Sequence, residues 1–509
     1  MAESQQKTVV LQGLDAGMFG DILSYIYSGT LHVSLNKVQL LYQAADLLQL
    51  DYVKDTCSSY MAMNVECSTC VALYKFADVY SLDIVRKACL QLIDINFVEV
   101  ASSEEFCSLS VNQLTEIISH DELDVKDETT VWEAAVRWVH NCRVDRQHHL
   151  PSILPHIRFN LLTPDDTAAI SEHPMVKEDP GSSEVIRNGV LRGASNMKPR
   201  FGIGAEKMVL FFETSPNPNR MQGINPRIGQ SFSIHFTEIP PIVSATVTSD
   251  NEIYVLAKES EDQMSLLLYK QMKSVWEQMS VVEKLPGLIR NQHLLALDGH
   301  LYYLACDWTK PSHIVRYSMK RYHKNTNSEW QDCSQLKDDI SDMEPSLSNG
   351  CLYLLCSREL YCYNPTEDRW FQRAPPTKST HVFWTNITLG TEIFRTDMNF
   401  TSVSVYDTEA DRWQELPAWK SPLEAEDRDY NANFFVFENQ LHVYLDAAKC
   451  KYRQVLVYDR HEGVWRESEY TLPDVYWDCS PVAARVYLPG VQDRCANTQR
   501  TIDAGDTAV

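Results

Sequence analysis

The sequence is short of positive charge, of long apolar runs and of the glycine-rich loops that hold phosphates. Against 69 acidic residues stand 46 lysines and arginines, a formal charge of −23. That balance repels phosphate backbones and argues against nucleic-acid binding. No apolar run approaches the ~20 residues that span a bilayer, and the first residues, Met1-Ala2-Glu3-Ser4, hold no apolar signal core. No membrane partner is expected, and the expected location is cytoplasmic or nuclear. The sequons at Asn386 and Asn399 carry no weight without a secretion signal. Gly-x-Ser-x-Gly, His-Glu-x-x-His and a phosphate-cradling loop are all missing. The reading is therefore of a non-enzyme without cofactor.

Metal chemistry finds little support either. Among fourteen cysteines, Cys67 and Cys70 form one Cys-x2-Cys without a second pair at zinc spacing. The thiols read as reduced and buried. His148, His149 and His156, near Cys142 and Asp145, match no ligand spacing, and no metal site is expected.

What is present is a recurring aromatic offset. Tyr269, Tyr363, Tyr406 and Tyr458 each stand seven positions before a tryptophan, Trp276, Trp370, Trp413 and Trp465. Tyr317 and Trp330 read as a fifth pair with a longer connection. Between most pairs lies turn chemistry, such as Asn364-Pro365 with Asp368, Asp407 with Asp411, and Asp459 with Gly463. Each unit reads as two strands and a tight loop, with Tyr and Trp opposite each other on one face. The tryptophans recur every 40–54 residues, a propeller-blade interval. Blades must stack around an axis to cover both faces of each small sheet. Five blades carry the pair, a sixth and degenerate one is expected near 207–240, and the alternating run Val482–Leu488 is expected to close the ring on the first blade.

Upstream the periodicity is helical. After a short β-type run at 8–11, Asp15 is placed to cap a helix with Phe19, Ile22, Leu23 and Ile26 on one stripe. Ser34 is placed to cap a second, carrying Val38, Leu41, Tyr42, Ala45 and Leu48. A third spans about 51–63, burying Val53, Cys57 and Met61. This piece resembles the second half of a BTB (POZ) domain, on Val10-Leu11, Phe19 through Gly29, Leu41-Tyr42-x2-Ala45-x2-Leu48-Gln49 and Cys57. The resemblance implies a partial α/β fragment, an N-terminally shortened form and weakened homodimerisation. It also implies a cullin-3 contact through Met1 and Glu3, matching a hydrophobic-x-Glu motif, and through Tyr27.

From Cys67 to about Ile170 apolar stripes continue, with capping boxes expected at Ser102-x-x-Glu105 and Ser110-x-x-Gln113. Phe97-x2-Val100, Ser103-x-Glu105-Phe106, Leu109, Leu114, Asp121-x-Leu123-x-Val125-x2-Glu128-x2-Val131, Ala134, Trp138 and Ile157-Arg158-Phe159-x-Leu161-Leu162 resemble the all-α BACK domain. The Tyr-Trp hairpins resemble kelch rather than WD repeats, since only Trp477-Asp478 supplies a Trp-Asp step. The kelch glycine doublet is replaced by pairs such as Leu256-Ala257, Ala305-Cys306 and Leu355-Cys356, with inner strands expected at 253–257, 301–305, 352–355, 392–394 and 441–444.

The expected organisation is multidomain: a BTB fragment (1–65), BACK (66–171), a linker (172–206), a kelch propeller, six-bladed (207–489), and a disordered tail (490–509). This order resembles substrate adaptors of cullin-3 RING ubiquitin ligases, in which BTB–BACK holds the cullin and the propeller an unidentified protein substrate. Substrate loops are expected at Asn217–Asn225, Asp307–Ser312, His381–Trp384 and Glu424–Asn433. The alternatives are a non-catalytic BTB-kelch scaffold of cytoskeletal type, or a shortened competitor that binds substrate without cullin. A kelch-type oxidase would need a Tyr, His and Cys copper site that nothing here specifies.

Overall fold

Asp15 opens the first helix by accepting the Met18 amide through its carboxylate, and Gly29 ends it at φ +74°. The computed structural model describes residues 13–191, 197–213, 219–236, 239–260, 262–283, 288–309, 314–324, 329–336, 344–356, 359–377, 384–397, 400–419, 431–447, 452–468 and 481–489. The chain separates into two units, 1–204 and 205–509. The run at 8–11 and the tail 490–509 lie outside the described residues.

The first unit is helical: α1 (Ala16–Ser28), α2 (Val38–Leu47), α3 (Asp51–Met63), α4 (Cys70–Tyr80), α5 (Asp83–Ile95), α6 (Phe97–Ser102), α7 (Val111–Ser119), α8 (Thr129–Asn141), α9 (Arg143–Arg146), α10 (Leu150–Ile153), α11 (Pro164–Glu172), α12 (Pro174–Lys177), α13 (Pro180–Leu191) and α14 (Phe201–Gly204). One apolar core runs through it, from Met18 and Ile22 to Ile186. On α1 the buried stripe is Met18 and Ile22, while Leu23 and Ile26 are exposed. Ser34 contributes its carbonyl to α2, not its hydroxyl, which bonds Asn36 instead. Ser110 and Gln113 form a capping box. Ser102 does not: its hydroxyl donates to the Glu99 carbonyl at a helix end, and the Phe106 amide goes to Ser103. A box absent from the sequence reading joins Thr163 and Asp166 at α11.

Residues 172–206 differ most from expectation. Pro174, the Asp179–Ser183 cluster and Lys198-Pro199-Arg200 suggested a linker with one short helix near Glu184–Leu191, but the same residue types start helices, and that helix begins four residues earlier, at Pro180. The Asp179 carboxylate accepts the Ser182 amide at 3.0 Å and α13 follows. Met175, Val176 and Ile186 are buried in the core. Arg200 is fully buried and pairs with fully buried Glu128 through two 2.7 Å bonds. It also donates to the carbonyls of His120 (2.8 Å) and His156 (3.0 Å), while Glu128 accepts the Arg158 amide (3.0 Å). A buried pair persists only with its remaining polar positions filled in this way. Gly202 lies against the 121–125 backbone, where an added Cβ would meet the Val125 nitrogen at 2.3 Å.

The second unit is six four-stranded antiparallel sheets forming a six-bladed β-propeller. Blade 1 holds β1 (Ala205–Glu213), β2 (Asn219–Ile224) and β3 (Ser231–Phe236). Blade 2 holds β4 (Ile242–Val247), β5 (Ile253–Lys258), β6 (Gln263–Lys270) and β7 (Val275–Glu283). Blade 3 holds β8 (Leu288–Leu297), β9 (His300–Thr309), β10 (Ile314–His323) and β11 (Gln331–Asp332). Blade 4 holds β12 (Glu344–Ser348), β13 (Cys351–Leu355), β14 (Leu360–Asn364) and β15 (Arg369–Gln372). Blade 5 holds β16 (Trp384–Leu389), β17 (Glu392–Asp397), β18 (Val403–Asp407) and β19 (Arg412–Leu416). Blade 6 holds β20 (Asn431–Phe437), β21 (Gln440–Ala447), β22 (Tyr452–Asp459) and β23 (Val464–Glu467). The fourth strand of blade 1 is β24 (Val482–Tyr487), antiparallel to β1.

Adjacent sheets meet through β4 with β8, β12 with β16, β16 with β20, and β24 with both β20 and β4, which sets these strands nearest the axis. The strands read from sequence as innermost are therefore second from it. They stood out because they are apolar on both faces, as in β5, which is buried from Ile253 to Ala257. The true inner strands are more polar, as in Glu344-Pro345-Ser346-Leu347-Ser348. Packing between blades is apolar; Tyr254 and Leu256 of β5 share one core with Leu301 and Tyr303 of β9. Each such fully buried side chain contributes about 1.5–3 kcal/mol. Blade 2 also holds β24 from outside its own sheet: Asn251 exchanges bonds with Arg485 (2.6 and 2.7 Å), and Gln271 accepts the Tyr487 amide (3.0 Å).

Candidate protein-interaction site

The aromatic offset becomes cross-strand pairing. Tyr269 lies opposite Trp276, Tyr363 opposite Trp370, Tyr406 opposite Trp413 and Tyr458 opposite Trp465. Ring centroids are 4.9–5.2 Å apart. Tyr317 is not the partner of Trp330. That partner is Tyr322, at 5.4 Å. The two tyrosines sit five positions apart on β10, so the period of two sends them to opposite faces. Tyr317 instead meets Trp370 of blade 4, edge to face at 5.9 Å.

The pairs have a second task that the spacing did not show. In blade 4 the Asp368 carboxylate accepts the Tyr363 hydroxyl (2.7 Å) and the Ser334 amide of blade 3 (2.9 Å). Trp370 Nε1 donates to the Ser334 carbonyl (2.8 Å). In blade 5 Asp411, Tyr406 and Trp413 repeat the pattern on Ala374 of blade 4. Both aspartates stand at φ +48°, two residues before the tryptophan. Burial works against the Asp368 charge, but the Ser334 amide and the Tyr363 hydroxyl outweigh it and hold its carboxyl below the usual range. These clasps make blades 3, 4 and 5 one platform.

The platform has two unlike ends. Because every sheet is antiparallel, first-to-second and third-to-fourth connections share one end. That end carries tight hairpins such as Asp298-Gly299 and Asn349-Gly350, where both residues have positive φ. At the other end the second strand of each blade gives way to the third and one blade gives way to the next, and the described residues 333–336, 373–377 and 417–419 leave their blades there. All four expected substrate segments touch this end, but most of their residues lie outside the described set. Where described they are strand except for Asn225, which follows β2: Asn219–Ile224 is β2, Asp307–Thr309 closes β9, Trp384 opens β16 and Asn431–Asn433 open β20. Beside them Glu344 opens β12, and burial pushes its carboxyl up to about 7.

On the first unit, Tyr27 is 88% exposed at the end of α1. Ile26, Leu35, Leu40, Leu47, Tyr52 and Met63 of the same segment are exposed too. Met1 and Glu3 lie outside the described residues. Cys70 donates to the Cys67 carbonyl (3.3 Å), and its buried thiol is pushed up to about 11. Among the described residues no His, Cys, Asp and Glu group could hold a metal, and no helix is long and apolar enough to cross a membrane.

A BTB/POZ family model matches residues 1–65, and the model for BACK, "BTB And C-terminal Kelch", matches residues 70–171. Human "Kelch repeat and BTB domain-containing protein 2" is 25% identical over 94% of this chain and 82% of its own. The chain belongs to the BTB-BACK-kelch family. Other relatives are human "Kelch repeat and BTB domain-containing protein 6", 24% identical over 73% of this chain and 60% of its own, and the Xenopus tropicalis protein 8 of that name, 23% identical over 94% and 82%. In this BTB-BACK-kelch chain the glycine-doublet positions fall at the end of the second strand: Leu256 and Ala257 pair with Ser244 and Ile242 across a bulge in β4, and Cys356 stands one residue past β13. The doublet is therefore not needed for the blade to form.

Proposed function

We propose that this BTB-BACK-kelch protein is a substrate adaptor of a cullin-3 RING ubiquitin ligase. The observation that carries the reading is a helical BTB–BACK unit followed by a closed six-bladed ring whose long connections share one end. Such an end offers a broad surface for a protein substrate, while ubiquitin transfer gains from holding that substrate near the ligase. The exposure of Tyr27 supports its use as a cullin contact, the role that the family resemblance implies for it and, through the hydrophobic-x-Glu motif, for Met1 and Glu3. The test is co-purification of cullin-3 from cells with the parent chain and with Glu3→Ala and Tyr27→Ala variants. Recovery that falls about tenfold or more on substitution supports the adaptor. Absence of cullin-3 from the parent refutes it and favours a scaffold or a competitor for substrate.

A further inference from the structure

In the first unit, α8 and α11 enclose a groove of about 720 Å³. Its α8 wall is the stripe Thr129, Trp132, Glu133, Val136, Arg137 and His140, and its α11 wall includes Asp166, Ala169 and Ile170. Both stripes follow the i, i+3, i+4 spacing of one helix face. The floor is apolar, with buried Trp132 and Ile170 below half-buried Val136. Ala169 is exposed and small, so another backbone can come close. From Thr129 to His140 the groove runs about 17 Å, three helical turns.

Charge selects the occupant. Glu133 and Asp166 stand on the rim. Arg137, in the α8 wall, donates to the Ala101 carbonyl and is held against its own unit (2.6 Å), and Arg143, which lies near His173, is paired with Glu178. His173 is held below its ordinary value by burial and by His140 and Arg143, and is uncharged at neutral pH. A second copy of a −23 chain is repelled. A helix with an apolar face and basic flanks fits both floor and rim. We propose that this groove docks a basic amphipathic helix of a partner protein. The proposal does not rest on the adaptor reading.

The probe is a fluorescein-labelled peptide of about 18 residues, five turns, with leucines at i, i+3, i+4 and i+7 and lysines elsewhere. A matched peptide carries glutamates instead of lysines. Anisotropy with the full chain at physiological salt is expected to show tighter binding of the lysine peptide. Glu133→Lys is expected to weaken the lysine peptide and strengthen the glutamate peptide, each by about fivefold. Ala169→Trp fills the groove and is expected to weaken both peptides by about tenfold or more. Ala169→Lys is the second blocking variant, and circular dichroism of each variant checks the fold. Parent-like binding by folded Ala169→Trp or Ala169→Lys overturns the proposal. So does a Glu133→Lys change that leaves both affinities where they were, because attraction to the acidic chain as a whole would do the same.

Discussion

Removing the Asp368 carboxylate should loosen the seam between blades 3 and 4. That oxygen takes two bonds, from the fully buried Tyr363 hydroxyl and from the Ser334 amide. Bonds to a charged group contribute about 1.5–3 kcal/mol each when buried. Asp368 is half-buried, so the lower end of that range applies. Asp368→Asn keeps an acceptor and tolerates the positive φ, and should cost about 1 kcal/mol. Asp368→Gly removes both bonds but suits the backbone, as Gly463 does at the same place in blade 6 with φ +66°. It should cost about 2–3 kcal/mol. Asp368→Ala adds left-handed strain of about 1 kcal/mol more. Glu367→Ala, one position away, should stay within about 0.5 kcal/mol. The measurement is urea unfolding of the full chain by tryptophan fluorescence, reading the propeller transition. If Asp368→Gly unfolds with the parent midpoint, the clasp contributes nothing and the reasoning fails. The depressed carboxyl also fixes a pH sign. Its contribution is complete above the unfolded value near 3.9 and is lost as pH falls through the lower folded value, so the variant and parent curves should converge below about pH 4.

Other outcomes follow from particular contacts. Arg200→Met should cost the first unit about 3–5 kcal/mol in chemical denaturation, and pairing it with Glu128→Leu should restore much of that loss; equal damage in the double variant would contradict the burial argument. Gly202→Ala should destabilise by driving a methyl into the Val125 backbone. Gly20→Ala, in open space on α1, should stabilise by about 0.5–1 kcal/mol, and both are checked by melting temperature. Ending the chain at 478 should remove the propeller's cooperative melting transition, because β24 goes with it; a parent-like melt would mean the ring closes some other way.

Much of this architecture was legible because period and spacing are local. The Tyr-x6-Trp offset is a hairpin written in one stretch of chain, and four of the five pairs lie opposite each other. Tyr317 misled because two tyrosines share β10 and only the pleat tells which faces Trp330. The clasps were invisible for a different reason: Ser334 and Asp368 are neighbours only after two blades stack. Asp368 and Asp411 were visible as turn residues, and their placement two positions before a tryptophan was the available hint. Arg200 was hidden because a fully buried guanidinium is exceptional and its carboxylate lies 72 positions away. Proline and serine at 180–183 signal helix starts and linkers alike, and only the burial of Ile186 decides between them.

The strand that completes blade 1 comes from the far end of the ring, which has a kinetic consequence. A ribosome adding about 5–20 residues per second makes β24 roughly fifteen to fifty seconds after β1. Throughout that interval the inner edge of β1 presents bare amides and carbonyls to any other strand nearby. Nascent chains of this protein should therefore be most prone to mispairing late in synthesis, and a chaperone that shields β1 would have its work ended by the arrival of Val482–Tyr487.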